Sequence, residues 1–402
     1  MPSPTTPTHP RLAEAVDRMM ARAAVPGLSL VVVDRERVLH ASGHGFADLG
    51  SGTAATPETA YLWFSMTKVV TATAALRLAD EGLLDLDAPA GEYLPLLGAK
   101  GRPRPTVRQL LDHTSGLANP LPIRWAHPAT TPAPDPGELL ERLLRRRRAF
   151  RSVPGRVRRY SNVGYLALGS VIAAAAGRPY QDVVVGEVLA PLGMTRTAFR
   201  YLPGAERATG YVRGPRALDP LLRRLLPSGI AGERTGGYLG LNPFHVDGPA
   251  YGGLVGDVLD VGRFLRLHLR DGELDGHRVL TEPAARDMRR LGLGWHPGGD
   301  RDPYVEHLGA GAGFWNVMRL YPACGMGAAI MTNSTTGHDH EALFALVTEL
   351  FGRARPRRRP APAAAPTRAG APTPGRTPRS TPPGPSAGTS PSRPRPRSDC
   401  PA

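Results

Sequence analysis

The run LSLVVVDRERVLHAS, Leu28 to Ser42, decides the architecture. A short, largely apolar stretch, Leu28 to Val33, meets the polar break Asp34 to Arg37, and the apolar pattern resumes from Val38 to Ser42, as two antiparallel strands joined by a turn require. Upstream, Leu12, Ala15, Val16, Met19, Met20 and Ala23 recur at helical spacing, so one apolar stripe lies on a first helix that Pro26 and Gly27 end. Near the other end, Trp315–Tyr321 and Met326–Thr332 flank the break Pro322–Gly325, and Tyr304–Gly309 supplies a further strand. Leu343, Leu346, Val347, Leu350 and Phe351 then form a closing helical stripe. These patterns predict an α/β (α+β) fold, with one antiparallel sheet of about five strands built from both chain ends and flanked by helices.

The sheet part covers about 11–60 and 290–352, and the stretch of about 61–289 between them reads as a mostly helical insert. In the insert, Asp135, Pro136 at the first helical position and Glu138 three residues on form a capping-box start for Leu139, Leu140, Leu143 and Leu144. The first ten residues are expected to be a flexible N-terminus. From Arg353 onward the chain has no periodicity and too little apolar surface to offset its entropy, so residues 353–402 are expected to be disordered.

That tail also explains the charge. It holds 11 arginines against one acid, Asp399, and so carries +10 of the formal +15. The body is nearly balanced, which argues against nucleic acid as its partner. Two cysteines, Cys324 and Cys400, support neither a disulfide framework nor a thiolate metal site. The N-terminal residues lack a basic region followed by an apolar one, and no run of about 18 apolar residues occurs. A cytoplasmic protein without a membrane span is the expectation.

Chemistry concentrates at three points. Lysine occurs only at Lys68 and Lys100, every other basic residue being arginine. Lys68 stands three residues after Ser65, and both open a segment to Asp80 whose Val69, Val70, Ala72, Ala74, Ala75, Leu76 and Leu78 read as a buried helix closed by Gly82. At this spacing the two side chains share a face. Helix N-terminal amides favour negative charge on a serine oxygen, and a dry lysine, unlike an arginine, can lose its proton and accept one from a hydroxyl. The second point is Tyr160, Ser161 and Asn162, just ahead of the helix Val163–Ala176. A phenol near an ammonium should have its pKa lowered and can shuttle protons, while an amide can grip a substrate carbonyl. The third is His307, Leu308 and Gly309, on a predicted strand that runs into small residues from Ala310 to Gly313. A rival His296, Pro297, Gly298 reads as a loop.

In this order, Ser65/Lys68, Tyr160/Asn162 and His307/Gly309 resemble the active-site set of the class C β-lactamase family, which includes D-alanyl peptidases and esterases. LLDHTSGL at Leu110–Leu117, PLGM at Pro191–Met194, Gly252 and Gly253 before Asp257, and Gly292–Trp295 also look like family signatures, so the resemblance spans roughly residues 10 to 351. It implies a β-lactamase/transpeptidase-like fold and a serine hydrolase needing neither metal nor organic cofactor. It further implies that Ser65 is acylated, that Lys68 and Tyr160 move protons, and that Asn162 contacts substrate and Lys68. The backbone N–H groups of Ser65 and Ala310 would form the oxyanion hole.

One departure matters. The β-lactamases carry Lys-Thr-Gly where this chain has His307, Leu308 and Gly309, so the charge-assisted grip on a drug carboxylate is lost or weakened. The expectation is an esterase-like hydrolase of a small ester or amide. A β-lactamase or D-alanyl-D-alanine carboxypeptidase or aminopeptidase is the alternative, and a non-catalytic sensor with a retained pocket is the alternative of another class. Nothing in the sequence speaks to oligomeric state. Two further motifs are set aside: Gly384–Gly388 mimics a nucleophile elbow without its strand and helix, and His338–Glu341 lacks the second histidine of a zincin helix. His113 reads as a capping or core residue beside the turn Thr114–Gly116.

Overall fold

The computed structural model describes residues 9–99, 101, 103–146, 148–299, 303–335 and 340–352. The basic tail, the first eight residues, and His338 with Asp339 lie outside the described residues.

Helix α1 (Pro10–Ala23) leads into strands β1 (Gly27–Asp34), β2 (Val38–Asp48) and β3 (Thr53–Ala54). The C-terminal strands are β4 (His296–Gly298), β5 (Tyr304–Gly311), β6 (Phe314–Tyr321) and β7 (Met326–Thr332). They form one seven-stranded sheet in the order β4-β5-β6-β7-β1-β2-β3, antiparallel throughout. The sheet is therefore two strands wider than expected. The additions are its edges, β3 with two residues and β4 with three, and β4 contains a proline that only an edge strand tolerates.

Every residue of β1 is buried, because both faces of the sheet are covered. Leu28, Leu30 and Val32 meet Leu12, Val16 and Met20 of α1 and Leu343, Phe344 and Val347 of the C-terminal helix His340–Phe351. Val31 and Val33, pointing the other way by strand alternation, join the main core with Val261, Phe264 and Leu265 of the helix Val258–Leu269. Each such side chain contributes about 1.5–3 kcal/mol by leaving water.

The insert holds α2 (Thr67–Asp80) and α3 (Asn162–Ala176), both apolar nearly all round and buried accordingly. It is not purely helical. Short ribbons pair Tyr61–Leu62 with Val255–Gly256 and Ala126–Pro128 with Phe244–Val246, and three strands between Tyr211 and Leu241 form a small sheet. Among the described residues, no helix is long and apolar enough to cross a membrane.

Candidate active site

The turn that carries Ser65 is anchored by two hydrogen bonds just ahead of it. The Trp63 amide donates to the Leu254 carbonyl at 2.8 Å, and the Asn316 side-chain amide donates to the Leu62 carbonyl at 2.7 Å. Phe64 takes a left-handed φ of +46°, a costly conformation for a bulky residue, and so re-aims the chain just before Ser65. The 3-10 turn Phe64–Met66 then feeds directly into α2, so Ser65 sits one short turn ahead of the α-helix rather than inside it.

Strand β5 supplies the opposite wall. Its pairing with β4 stops at Glu306, and the stretch from His307 to Gly311 instead packs against the Phe64–Met66 turn. The approach is close enough to exclude side chains: an added Cβ at Gly309 would strike the Trp63 carbonyl, and one at Gly311 would strike the Phe64 ring. Ala310 lies between them, exposed.

Lys68 projects from the first turn of α2 with 0% exposure. Its Nζ donates to Ser65 Oγ at 3.0 Å and to the Tyr251 carbonyl at 2.8 Å. The rings of Tyr160, Tyr251 and Tyr165 surround it, at 4.8, 5.5 and 5.6 Å from Nζ to ring centre. Among the described residues no carboxylate pairs with it, and burial alone drives its pKa well below that of an ordinary lysine. Tyr160 completes the group, its phenol donating to Ser65 Oγ at 2.6 Å. Here the expectation of a lowered phenol pKa fails. Burial raises it, with the Ser65 bond only partly opposing, so at neutral pH Tyr160 is a proton donor and not a phenolate.

Asn162 opens α3, where the Ser161 hydroxyl caps the helix by accepting from the Gly164 amide at 3.0 Å. The Asn162 backbone amide donates to Asn119 Oδ1 at 3.0 Å, and its own Oδ1 is buried without a partner. Lys68 donates to Ser65 and Tyr251, and no hydrogen bond joins it to Asn162 among the described residues. His307 is buried on β5. Its Nδ1 lies 2.7 Å from the Leu308 carbonyl and so carries the proton, while Nε2 is buried without a partner. Burial, reinforced by His296 and Lys68, pushes its pKa well below the usual histidine value. It presents a neutral imidazole where the β-lactamase pattern has a cation.

Three groups escaped the sequence reading. His296, taken there for a loop residue, lies on edge strand β4 with its ring 4.7 Å from that of His307 and 6.2 Å from that of Tyr160. Its pKa falls to about 4, mainly through burial. His113 is indeed buried, but it serves the site. With φ +65° its ring lies 4.7 Å from that of Tyr160, tilted by 41°, its Nδ1 accepts from the Ser161 amide at 3.3 Å, and its carbonyl accepts from the Arg159 amide at 2.8 Å. Tyr251 gives Lys68 both a ring and a carbonyl, and its place just before Gly252 and Gly253 was the available signal. Behind that segment lies a cavity of 1170 Å³ lined by His127, Tyr180, His245, Asp247 and Ala250, but not by Ser65, Lys68 or Tyr160.

A candidate metal cluster also resolves. Glu306, His340 and Glu341 converge, yet Arg319 already bonds both carboxylates, to Glu306 at 2.6 Å and to Glu341 at 3.0 Å. Their charge is consumed in an ion-pair network.

The family model described as Beta-lactamase matches residues 12–350. Penicillin-binding protein 4 of Amycolatopsis lactamdurans is 29% identical over 385 residues, covering 87% of this chain and 92% of that protein. The octameric penicillin-binding protein homologue from Pyrococcus abyssi matches with a TM-score of 0.70 at 25% identity, over 85% of this chain and 77% of that one. The D-amino acid amidase from Ochrobactrum anthropi SV3, in complex with L-phenylalanine amide, matches with a TM-score of 0.66 at 25% identity, over 80% of this chain and 90% of that one. A match that spans almost all of the sheet and the insert between its halves shows that the chain belongs to the Beta-lactamase family of serine hydrolases.

Proposed function

We propose that the protein hydrolyses a small ester or amide through an acyl-enzyme on Ser65, with esterase-like substrates preferred. The observation that carries this reading is the buried Lys68 amine, without a carboxylate partner among the described residues and 3.0 Å from the Ser65 hydroxyl. A neutral amine there accepts the Ser65 proton, reversing the direction of the hydrogen bond, as Oγ bonds the substrate carbonyl carbon. The carbonyl π electrons move to oxygen, where the backbone N–H groups of Ser65 and Ala310 would hold the oxyanion. Collapse expels an alcohol or amine, which takes up the proton through Lys68 and the Tyr160 phenol. Water then attacks the acyl-enzyme by the same route, restoring Ser65 and releasing the acid.

Substrate preference rests on β5. A neutral His307 and an apolar Leu308 offer no fixed cation or hydroxyl to a carboxylate, which favours uncharged acyl groups. The relatives named penicillin-binding protein and D-amino acid amidase support the second reading, a β-lactamase, peptidase or amidase. Parallel assays with a p-nitrophenyl ester, a D-amino acid amide and a chromogenic cephalosporin separate the two. The proposal expects the ester to give the highest kcat/KM, and a cephalosporin rate far above it reverses the preference.

A further inference from the structure

The helix α4 (Asp219–Leu225) is built inside out. With the residues that flank it, it carries Leu218, Leu221, Leu222, Leu225 and Leu226 at i, i+3, i+4, i+7 and i+8, one apolar stripe. An ordinary surface helix buries such a stripe. Here none of the helix residues is buried: Leu218, Leu221 and Leu225 are exposed, Leu221 at 53%, and only the Leu226 end of the stripe packs on the core.

The polar side is what ties the helix down. Arg223 donates to the Ala231 and Gly232 carbonyls at 3.0 and 2.7 Å, and Asp219 is paired with Arg234. The exposed leucines do not stand alone. Arg124 donates to the Arg224 carbonyl at 3.1 Å, which sets the loop carrying Leu121, exposed at 81%, and Ile123 beside the helix. The same loop carries Asn119, which holds the Asn162 backbone amide, so the apolar patch adjoins the Ser65 site through a few residues of chain.

Charge decides what covers the patch. Arg124, Arg216 and Arg224 flank the helix and its neighbouring loop, and among the described residues none of them has an acid within ion-pair distance, the one acid of the helix being paired with Arg234. A second copy meeting this face by two-fold symmetry would set these arginines against their own counterparts. The chain after Phe351 is a poor cover too, for it is rich in arginine and contains no leucine, isoleucine, valine or aromatic residue. An anionic bilayer satisfies both parts, taking leucine side chains into the acyl boundary and guanidinium groups among its phosphates.

We propose that α4 and the Leu121–Ile123 loop form a docking surface for an anionic lipid membrane, which presents the mouth of the Ser65 site to the interface. The surface lies outside the catalytic groups, so its test does not depend on the hydrolase reading.

The experiment uses the full chain, co-sedimented with phosphatidylglycerol and, separately, phosphatidylcholine vesicles at low and high salt. Binding to the anionic vesicles only, weakened by salt, is expected, and Leu221→Asp/Leu225→Asp should lower the partition coefficient at least tenfold with an unchanged melting temperature. A second readout separates the patch from the basic tail. In a Cys324→Ser/Cys400→Ser background, Leu221→Cys carrying an environment-sensitive fluorophore should shift to the blue on adding anionic vesicles. Binding without that shift, or undiminished in the double aspartate variant, assigns the contact to the tail and overturns the proposal. So does a wild-type oligomer that the same variant converts to monomer, which makes the face an interface between copies.

Discussion

Two buried basic side chains set the candidate site against the architecture around it. Lys68, 0% exposed, has one hydroxyl, one carbonyl and three tyrosine rings for neighbours, and burial drives its pKa down. Arg319, 1% exposed, lies between the Tyr304 and Phe344 rings, 3.8 and 4.3 Å from their centres, and bonds two glutamates. Burial opposes its charge as well, but the bonds it donates to Glu341, Tyr321 and Glu306 outweigh it and hold its pKa above the ordinary value. The cation that stays charged is surrounded by anions, whereas the amine whose pKa burial lowers has no carboxylate partner among the described residues. The residue types follow, since guanidinium does not deprotonate at any working pH.

The sharpest way to break this contrast is to exchange the residue types. Lys68→Arg should lower kcat/KM for an activated ester by about 10³-fold, the scale of lost general-base catalysis, while leaving the chain folded by circular dichroism. A variant that retains activity would mean that Lys68 serves only as a fixed charge. Arg319→Met should act in the opposite sense. It strands Glu306, which is largely buried, and Glu341, which is not, so a loss of about 2–3 kcal/mol in urea unfolding is expected, with kcat/KM within about twofold of wild type.

A smaller effect comes from proton linkage. The folded pKa of Lys68 lies below its unfolded value near 10.5, so between the two the unfolded chain binds the extra proton. Stability of the wild type relative to Lys68→Met should therefore climb as pH rises through that window and level off above it. A flat difference between pH 7 and 10 contradicts a depressed pKa. Least of all, Glu341→Gln should cost under about 1 kcal/mol, because this partner of Arg319 is more than half exposed.

The same contrast explains what was legible in the sequence. Elements with many residues of one period, such as β1, α2 and α3, were readable because burial on a given face leaves a pattern. The edge strands were not. Thr53–Ala54 is too short to show alternation, and His296–Gly298 carries the proline and glycine that ordinarily mark a loop, which hid His296 from the site. Ser65, Lys68 and Tyr160 could be singled out by residue type and order, and the structure brings them within hydrogen-bonding distance. What surrounds them could not be read. The sign of the Tyr160 shift depends on how deeply its ring is buried, and the partner of Lys68 proved to be the carbonyl of Tyr251, an atom that every residue carries and no motif can mark.

The central claim is that Ser65 Oγ becomes covalently acylated because Lys68 can take its proton. Intact-mass and peptide mass spectrometry after incubation with a fluorophosphonate tests it most directly. The account predicts one adduct per chain, on the peptide bearing Ser65, absent in Ser65→Ala and strongly slowed in Lys68→Arg. Ester turnover by a protein whose Ser65 stays unmodified, or an adduct on another residue, would contradict it.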